Sequence, residues 1–269
     1  MLACLGILGG PVNLHAQTEA DLTPFEASYT AAMEKGLSLN GTAKRTLTSQ
    51  GNDIWLYRTD VDSFIVSIDE SLVFRWEDGH VTPMRYRYRL SGFLISDRKQ
   101  SIDFDWSAGI ASGEYKGKRF ELPLEEGLLD PLGYQLQLHQ DIKNGKRDMT
   151  YRVLDGNSID TDRFAVINGE KINTGSKQRS TLKAEKVRED SKRQTLMWFS
   201  PEQNYLLVRL RQVEPDGSTY ELKLKETEFE RETARPASRH TASTPDAQPT
   251  RPRPRTTVCE NRMHNVDTQ

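Results

Sequence analysis

Residues 84–90 read Met-Arg-Tyr-Arg-Tyr-Arg-Leu, an unbroken alternation that constrains this chain more than any other feature in it. On an extended backbone successive side chains point to opposite faces, so Met84, Tyr86, Tyr88 and Leu90 share one face and Arg85, Arg87 and Arg89 the other. The same period recurs between residues 20 and 230. Phe25, Ala27, Tyr29 and Ala31 alternate, as do Trp55 with Tyr57 and Ile102 with Phe104 and Trp106. Residues 64–76 read as one long strand or two joined by a kink. Tyr151 with Val153, Phe164 with Val166, Leu182 with Ala184 and Leu196 with Trp198 continue the pattern. Near the end, Leu206, Val208 and Leu210 face Tyr220, Leu222 and Leu224 across Pro215-Asp216-Gly217, a hairpin with one apolar side. Further turn signals stand at Gly51-Asn52-Asp53, Glu77-Asp78-Gly79, Asp155-Gly156-Asn157 and Asn168-Gly169.

One segment breaks the period. Asp130 before Pro131 fits a helix cap followed by a proline at the first helical position. Leu132, Leu136 and Gln140 follow at four-residue spacing, and Lys143 suits the negative end of the helix dipole, so a helix is expected over 131–143, stopped by Gly145. About a dozen strands with one short helix predict a mainly β fold: a large curved antiparallel sheet or an open, half-closed β-barrel. Residues 22–124 and 148–230 read as two halves of one continuous sheet.

The ends differ from this middle. Residues 1–16 are apolar and uncharged apart from His15, and Leu14-His15-Ala16 resembles a small-residue cleavage site. This reads as most of a secretory signal peptide, with Gln17 opening a mature β domain over 17–230. Residues 231–269 hold five of the twelve prolines, seven arginines and four acidic residues, and almost no large apolar side chains. Such a segment has too little apolar surface to offset chain entropy, and a disordered Arg/Pro-rich tail is expected.

Composition excludes several classes. The chain carries 37 basic against 39 acidic residues, so no general nucleic-acid partner is expected. Nothing in the mature chain approaches the roughly 20-residue apolar run of a transmembrane helix. Cys4 and Cys259 are the two cysteines, one in the leader and one in the tail, which leaves the β domain without disulfide, thiol nucleophile or cysteine-ligated metal. No two of the five histidines lie two to four residues apart, and no G-x-S-x-G elbow occurs, so no metal, cofactor or hydrolytic triad is expected.

Three features remain as candidate chemistry. Asp103 and Asp105 would stand about 6–7 Å apart on one strand face, a spacing a glycosidase can use, although charged outer faces are ordinary in strands. Asp69-Glu70 and Glu125-Glu126 are looser pairs. Arg85, Arg87 and Arg89, with Arg209 and Arg211, could bind phosphate or carboxylate head groups, or simply pair with acids on neighbouring strands. Phe74, Trp76, Tyr86, Tyr88, Phe104, Trp106 and Trp198 make one side of the sheet strongly aromatic, either filling a tight barrel or lining a pocket in a wide one.

Several stretches together, in order, carry a resemblance: FEASYTA at 25–31, ESLVFRWEDGHVTPMRYRY at 70–88, DFDW at 103–106, LLDPLGYQLQL at 128–138 and FSPEQNYLLVRLRQVEPDG at 199–217. Over residues 22–229 the chain resembles the domain of unknown function 3108 family of exported Gram-negative proteins. That resemblance implies a periplasmic protein with a shape similar to the half-barrel of lipoprotein carriers; it supplies no catalytic residues. The expected function is therefore non-catalytic: binding or carrying an amphiphilic envelope component, a lipid, lipoprotein or glycan, on an aromatic-lined concave face. The seven aromatics would meet its apolar part, and Arg85, Arg87 or Arg89 its charged part. The alternatives are a structural partner of another envelope protein and, less favoured, an envelope glycan hydrolase. Export makes a direct prediction: N-terminal sequencing of protein made in a Gram-negative host should begin at Gln17, and retention of residues 1–16 in the recovered protein would remove the periplasmic assignment.

Overall fold

A computed structural model describes residues 22–229, apart from 36–37, 94–95, 175–176 and 190–191. The leader expected over 1–16 and the tail expected over 231–269 lie outside the described residues. Within them the chain forms one fifteen-stranded sheet. The first half is an antiparallel meander: β1 (Phe25–Glu34), β2 (Ser38–Gly51), β3 (Ile54–Ser63), β4 (Val66–Glu77), β5 (His80–Gly92), β6 (Arg98–Asp105), β7 (Ile110–Tyr115) and β8 (Lys118–Pro123). A two-residue strand β9 (Leu128–Leu129) and helix α1 (Pro131–Lys143) follow. The second meander is β10 (Asp148–Asp155), β11 (Ser158–Thr174), β12 (Lys177–Val187), β13 (Gln194–Ser200), β14 (Leu206–Val213) and β15 (Thr219–Phe229).

The chain starts in the middle of its own sheet. β1 to β8 run outward to one edge, residues 124–127 lead to β9 at the other, α1 follows, and β10 to β15 return until β15 pairs with β1. The one parallel pair is β9 with β10. β8 and β9 each have a single neighbour, so the sheet is curled but not closed into a barrel. Two expectations need amendment. Asn168-Gly169 makes no turn; it sits inside the long strand β11, where the register with β12 slips past Ile167 in a bulge. The strand count also exceeds a dozen, because β7, β8 and β9 are too short for alternation to stand out.

Helix α1 sets the curvature. It begins where expected: the Asp130 side chain accepts from the N–H of Leu132 (3.0 Å) and Gly133 (3.1 Å), and Asn144 and Gly145 close the last turn. Unlike a surface helix, it is buried on most of its circumference; Leu132, Leu136, Leu138 and Ile142 are all at most 1% exposed. Each such side chain contributes roughly 2 kcal/mol by leaving water. A helix apolar on several sides requires sheet on several sides. Gln137 therefore receives the Val81 N–H at 2.8 Å and donates to the Gly79 carbonyl at 3.1 Å on the β4–β5 turn. Asp141 accepts the Tyr151 hydroxyl of β10 at 2.8 Å, Tyr134 stacks on Phe164 of β11 at 5.3 Å, and Gln135 accepts from Arg45 of β2 at 2.7 Å. His139 lies 2.8 Å from the Asn204 carbonyl through Nε2; burial holds its pKa down to about 4, so a neutral ring donates there. The helix thereby ties together strands that lie far apart in the sheet order.

Asp130 yields a pH test. Its Oδ2 has no hydrogen-bond partner, and burial, only partly opposed by the Gly133 and Leu132 N–H groups, pushes the carboxyl up to about 7. Between pH 3.8 and about 7 the native state then holds a proton that the unfolded chain has released. This group's stabilisation is complete below that window and is lost as pH rises through it. Urea unfolding across a pH series should show Asp130→Asn, which keeps an acceptor for the cap, flattening that decline. Asp130→Ala should cost about 1 kcal/mol at the acid end. An unchanged slope in the Asn variant would mean that another group titrates.

Candidate functional site

The inner face of the sheet is apolar along most of its length and polar at one end. On β4, Leu72, Phe74 and Trp76 point inward and are 0%, 0% and 6% exposed, and Glu70 continues the same parity. On β5 the parity places Tyr86 and Tyr88 inward, and on β6 it places Gln100 beside Ile102 and Phe104. Beneath α1 the gap bounded by Phe25, Tyr29, Tyr57, Gln135 and Phe199 measures about 10 Å³. The space that a wide curled sheet would enclose is taken by the helix.

At the end formed by the β5–β6, β7–β8 and β10–β11 turns the sheet instead opens into a cleft of about 770 Å³. Glu70 and Tyr86 lie deepest, joined by a 2.6 Å bond from the Tyr86 hydroxyl to the Glu70 carboxylate. Burial pushes Glu70 above its usual range, with the Tyr86 bond and the Arg45 charge acting against it. Burial, reinforced by Glu70, pushes Tyr86 up, so it remains a donor. Gln100, with its amide turned to suit its neighbours, donates to Asp155 at 3.2 Å and accepts from the Gly156 N–H at 2.8 Å. Gly156 has φ +66° and the ring of Tyr115 lies 3.0 Å from where a Cβ would be, so any side chain there would push the two rims of the cleft apart. Around the mouth stand Arg98, Lys99, Lys116 and Asp97, all exposed.

The residues named from sequence divide among several places. Tyr86 and Tyr88 line the cleft. Phe74, Trp76 and Phe104 belong to the packed interior, and Trp106 stacks on Phe104 at 6.4 Å while donating to the Pro83 carbonyl at 2.6 Å, towards the opposite end of β6. Trp198 departs from the expected aromatic inner side. It lies on the outer face of β13, 3% exposed, with Arg209 4.7 Å and Lys183 5.4 Å from its ring centroid, and it donates to Glu170. The register places Lys183 and Arg209 directly beside it on either flank, which is why it is covered there.

Arg85, Arg87 and Arg89 also face outward, opposite the aromatics. Arg87 grips Asp103 with two bonds of 2.9 Å and Arg85 reaches it at 3.2 Å. Arg209 pairs instead with Glu221, six places away from β5 in the sheet order, so the arginines form no common patch. Asp103 is thus held between two guanidinium groups. Asp105 closes a turn, accepting from Ser107 Oγ at 2.6 Å and the Ala108 N–H at 2.9 Å, and the Ser107 bond holds its carboxyl below the usual value. A glycosidase pair needs one carboxyl kept protonated as an acid, and Asp105 is shifted the other way. Among the described residues, no group of three or more His, Cys, Asp or Glu is placed to hold a metal ion, and no helix is long and apolar enough to cross a membrane.

Residues 25–225 match the sequence model of a family described as "Protein of unknown function (DUF3108)". Among curated proteins none matches the chain. Among solved structures, the chain is similar to a beta-barrel-like protein of domain of unknown function DUF1849 from Brucella abortus, with 12% identity and a TM-score of 0.51 over 78% of this chain and 98% of that one. That likeness concerns the fold. A domain described as a candidate outer membrane lipoprotein-sorting protein from Vibrio parahaemolyticus (10% identity, 80% and 88% covered, TM-score 0.24) superposes too loosely to carry an argument. The same holds for a DUF1329 family protein from Desulfovibrio piger (8% identity, 77% and 85% covered, TM-score 0.25).

The outer-face ion pairs are half exposed and should matter little. Arg87→Ala or Asp103→Asn is expected to change unfolding free energy by under about 1 kcal/mol. A larger loss by urea titration would show that this pair organises the sheet.

Proposed function

The chain belongs to the DUF3108 family, and we propose that this member is a non-catalytic periplasmic binding protein whose site is the cleft at the β5–β6, β7–β8 and β10–β11 end. Its ligand is the polar part of an amphiphilic envelope component. One contrast carries this reading: the gap beneath α1 bounded by Phe25, Tyr29, Tyr57, Gln135 and Phe199 measures about 10 Å³, against about 770 Å³ in the cleft. Pockets for small ligands fall at roughly 300–1,000 Å³. That gap holds no acyl chain, and a ligand engages the protein by its head.

The lining suits a head group bearing both charges. Glu70, whose hydrogen bond comes from a neutral tyrosine hydroxyl, offers a carboxylate to an ammonium group deep in the cleft. Tyr86, Tyr88 and Tyr115 add ring faces and hydroxyls that favour cations and sugars. Arg98, Lys99 and Lys116 stand at the mouth, where a phosphate would follow. A lipid with a phosphoethanolamine head presents these groups in that order.

The edge of β8 offers a second protein little. Its charged Lys118, Arg119 and Glu121 and its terminal Pro123 oppose strand addition. The binding reading is tested by titrating a short-chain phosphatidylethanolamine, below its micelle threshold, in a calorimeter. Saturable binding is expected, weakened about tenfold by Glu70→Gln or by Tyr88→Ala, a loss of about 1.4 kcal/mol. Absence of binding, together with no amphiphile in native mass spectra of protein from its own envelope, would overturn it.

A further inference from the structure

The cleft and the cations at its mouth lie at one end of the sheet, and the most exposed large apolar side chains of the described residues are there too. Phe64 is 100% exposed and Phe93 is 71% exposed, the two largest values among the exposed large hydrophobic residues of the described chain. They occupy neighbouring hairpin tips: Phe64 the β3–β4 turn, Phe93 the start of the β5–β6 turn. The tips are joined, since the Phe93 N–H donates to the Ile65 carbonyl at 3.0 Å. Ser63 fixes the first tip, its Oγ accepting the Val66 N–H and donating to the Val66 carbonyl, both at 3.0 Å. Both rings are thus presented on braced backbone and stand largely bare among the described residues.

The surroundings of the rings are basic. Across residues 61–67, 89–99 and 114–119, six exposed cations (Arg89, Arg98, Lys99, Lys116, Lys118 and Arg119) stand with three carboxylates, Asp62, Asp97 and Glu114. Arg89 sits opposite Lys99 across the β5–β6 pair and opposite Asp69 across β4–β5, where Asp69 is already held by Arg58 at 2.6 Å. Like charges so placed repel, and an external anion relieves that repulsion. Elsewhere on the outer surface the pattern is the reverse: Arg58, Arg85, Arg87 and Arg209 each have a carboxylate.

Projecting aromatic rings within a collar of exposed cations that have no ion pair among the described residues match an anionic bilayer surface, with rings at the acyl boundary and cations at phosphate level. We propose that the Phe64 and Phe93 hairpin tips dock this protein on a membrane containing anionic lipid, with the cleft mouth held against the head groups. This stands independently of what the cleft binds, because docking needs only the tips and the collar.

Flotation of the full chain with vesicles of phosphatidylethanolamine and a minority of phosphatidylglycerol tests it. Co-flotation is expected, weakening with added salt and absent from phosphatidylcholine vesicles. Phe64→Ser and Phe93→Ser should each weaken it about tenfold, the value of a buried ring, without lowering the melting temperature. Phe64→Trp should float like the unsubstituted protein and be quenched by brominated acyl chains beyond the quenching of the native tryptophans. Failure to float, or flotation indifferent to both serine substitutions, would overturn the proposal. So would a melting temperature lowered by either one, or a dimer in sedimentation that the same substitutions dissolve, which would assign the rings to a second copy. Cleft binding is read with a soluble short-chain amphiphile and docking with vesicles, so failure of one leaves the other standing.

Discussion

The burial of one helix against one sheet is the constraint on which the architecture rests. α1 is buried on too many sides to lie on a flat sheet, and the sheet has too many apolar inner residues to remain uncovered. Wrapping satisfies both. The helix has its own polar requirements within that wrap, and they are met by strands from both halves: Gln137 by the β4–β5 turn, Asp141 by Tyr151 on β10, His139 by the Asn204 carbonyl. An unpaired group at any of these points would carry a desolvation cost of about 1–3 kcal/mol, so helix position and sheet curvature are specified together.

Filling the interior with protein changes what a curled sheet of this size can do. A barrel of comparable strand number with an open centre could enclose a lipid chain. Here the Leu, Phe and Tyr side chains beneath α1 occupy that volume, and a cleft remains at the end where the turns of both halves converge. Charge follows the same division. Arg58, Arg85, Arg87 and Arg209 are paired with carboxylates on the outer face, whereas Arg98, Lys99, Lys118 and Arg119 near the hairpin tips are exposed and have no ion pair among the described residues. The unpaired charge, the cleft and the bare aromatic rings coincide at one pole, which gives the molecule a direction.

Much of the fold was legible because strand and helix periods differ so plainly. The alternation at 84–90 and the Asp130-Pro131 start led directly to β5 and α1. The ambiguity lay in short or interrupted elements: Asn168-Gly169 carries a turn signature, yet the long pairing of β11 with β12 outweighs that local preference and absorbs it as a bulge. The cleft was only half visible. Glu70 shares its parity with Leu72, Phe74 and Trp76, and Gln100 with Ile102 and Phe104, a signal that could have marked both as inward-facing polar residues, although by sequence Glu70 stood out only as half of a loose carboxylate pair and Gln100 not at all. Asp155 and Lys116 carried no such mark, since they reach the cleft through turns that meet in space.

From residue order alone come the antiparallel strands, the capped helix and the separation of aromatic from arginine faces, because these follow from local backbone geometry and nearest-neighbour pairing. Which strands meet across the concavity, that α1 occupies it, that Trp198 is covered on the outside, and that Phe64 and Phe93 stand together beside a basic mouth all depend on contacts between distant segments. Such contacts are selected by how a whole sheet must curve to cover one helix, and no stretch of chain holds that information separately.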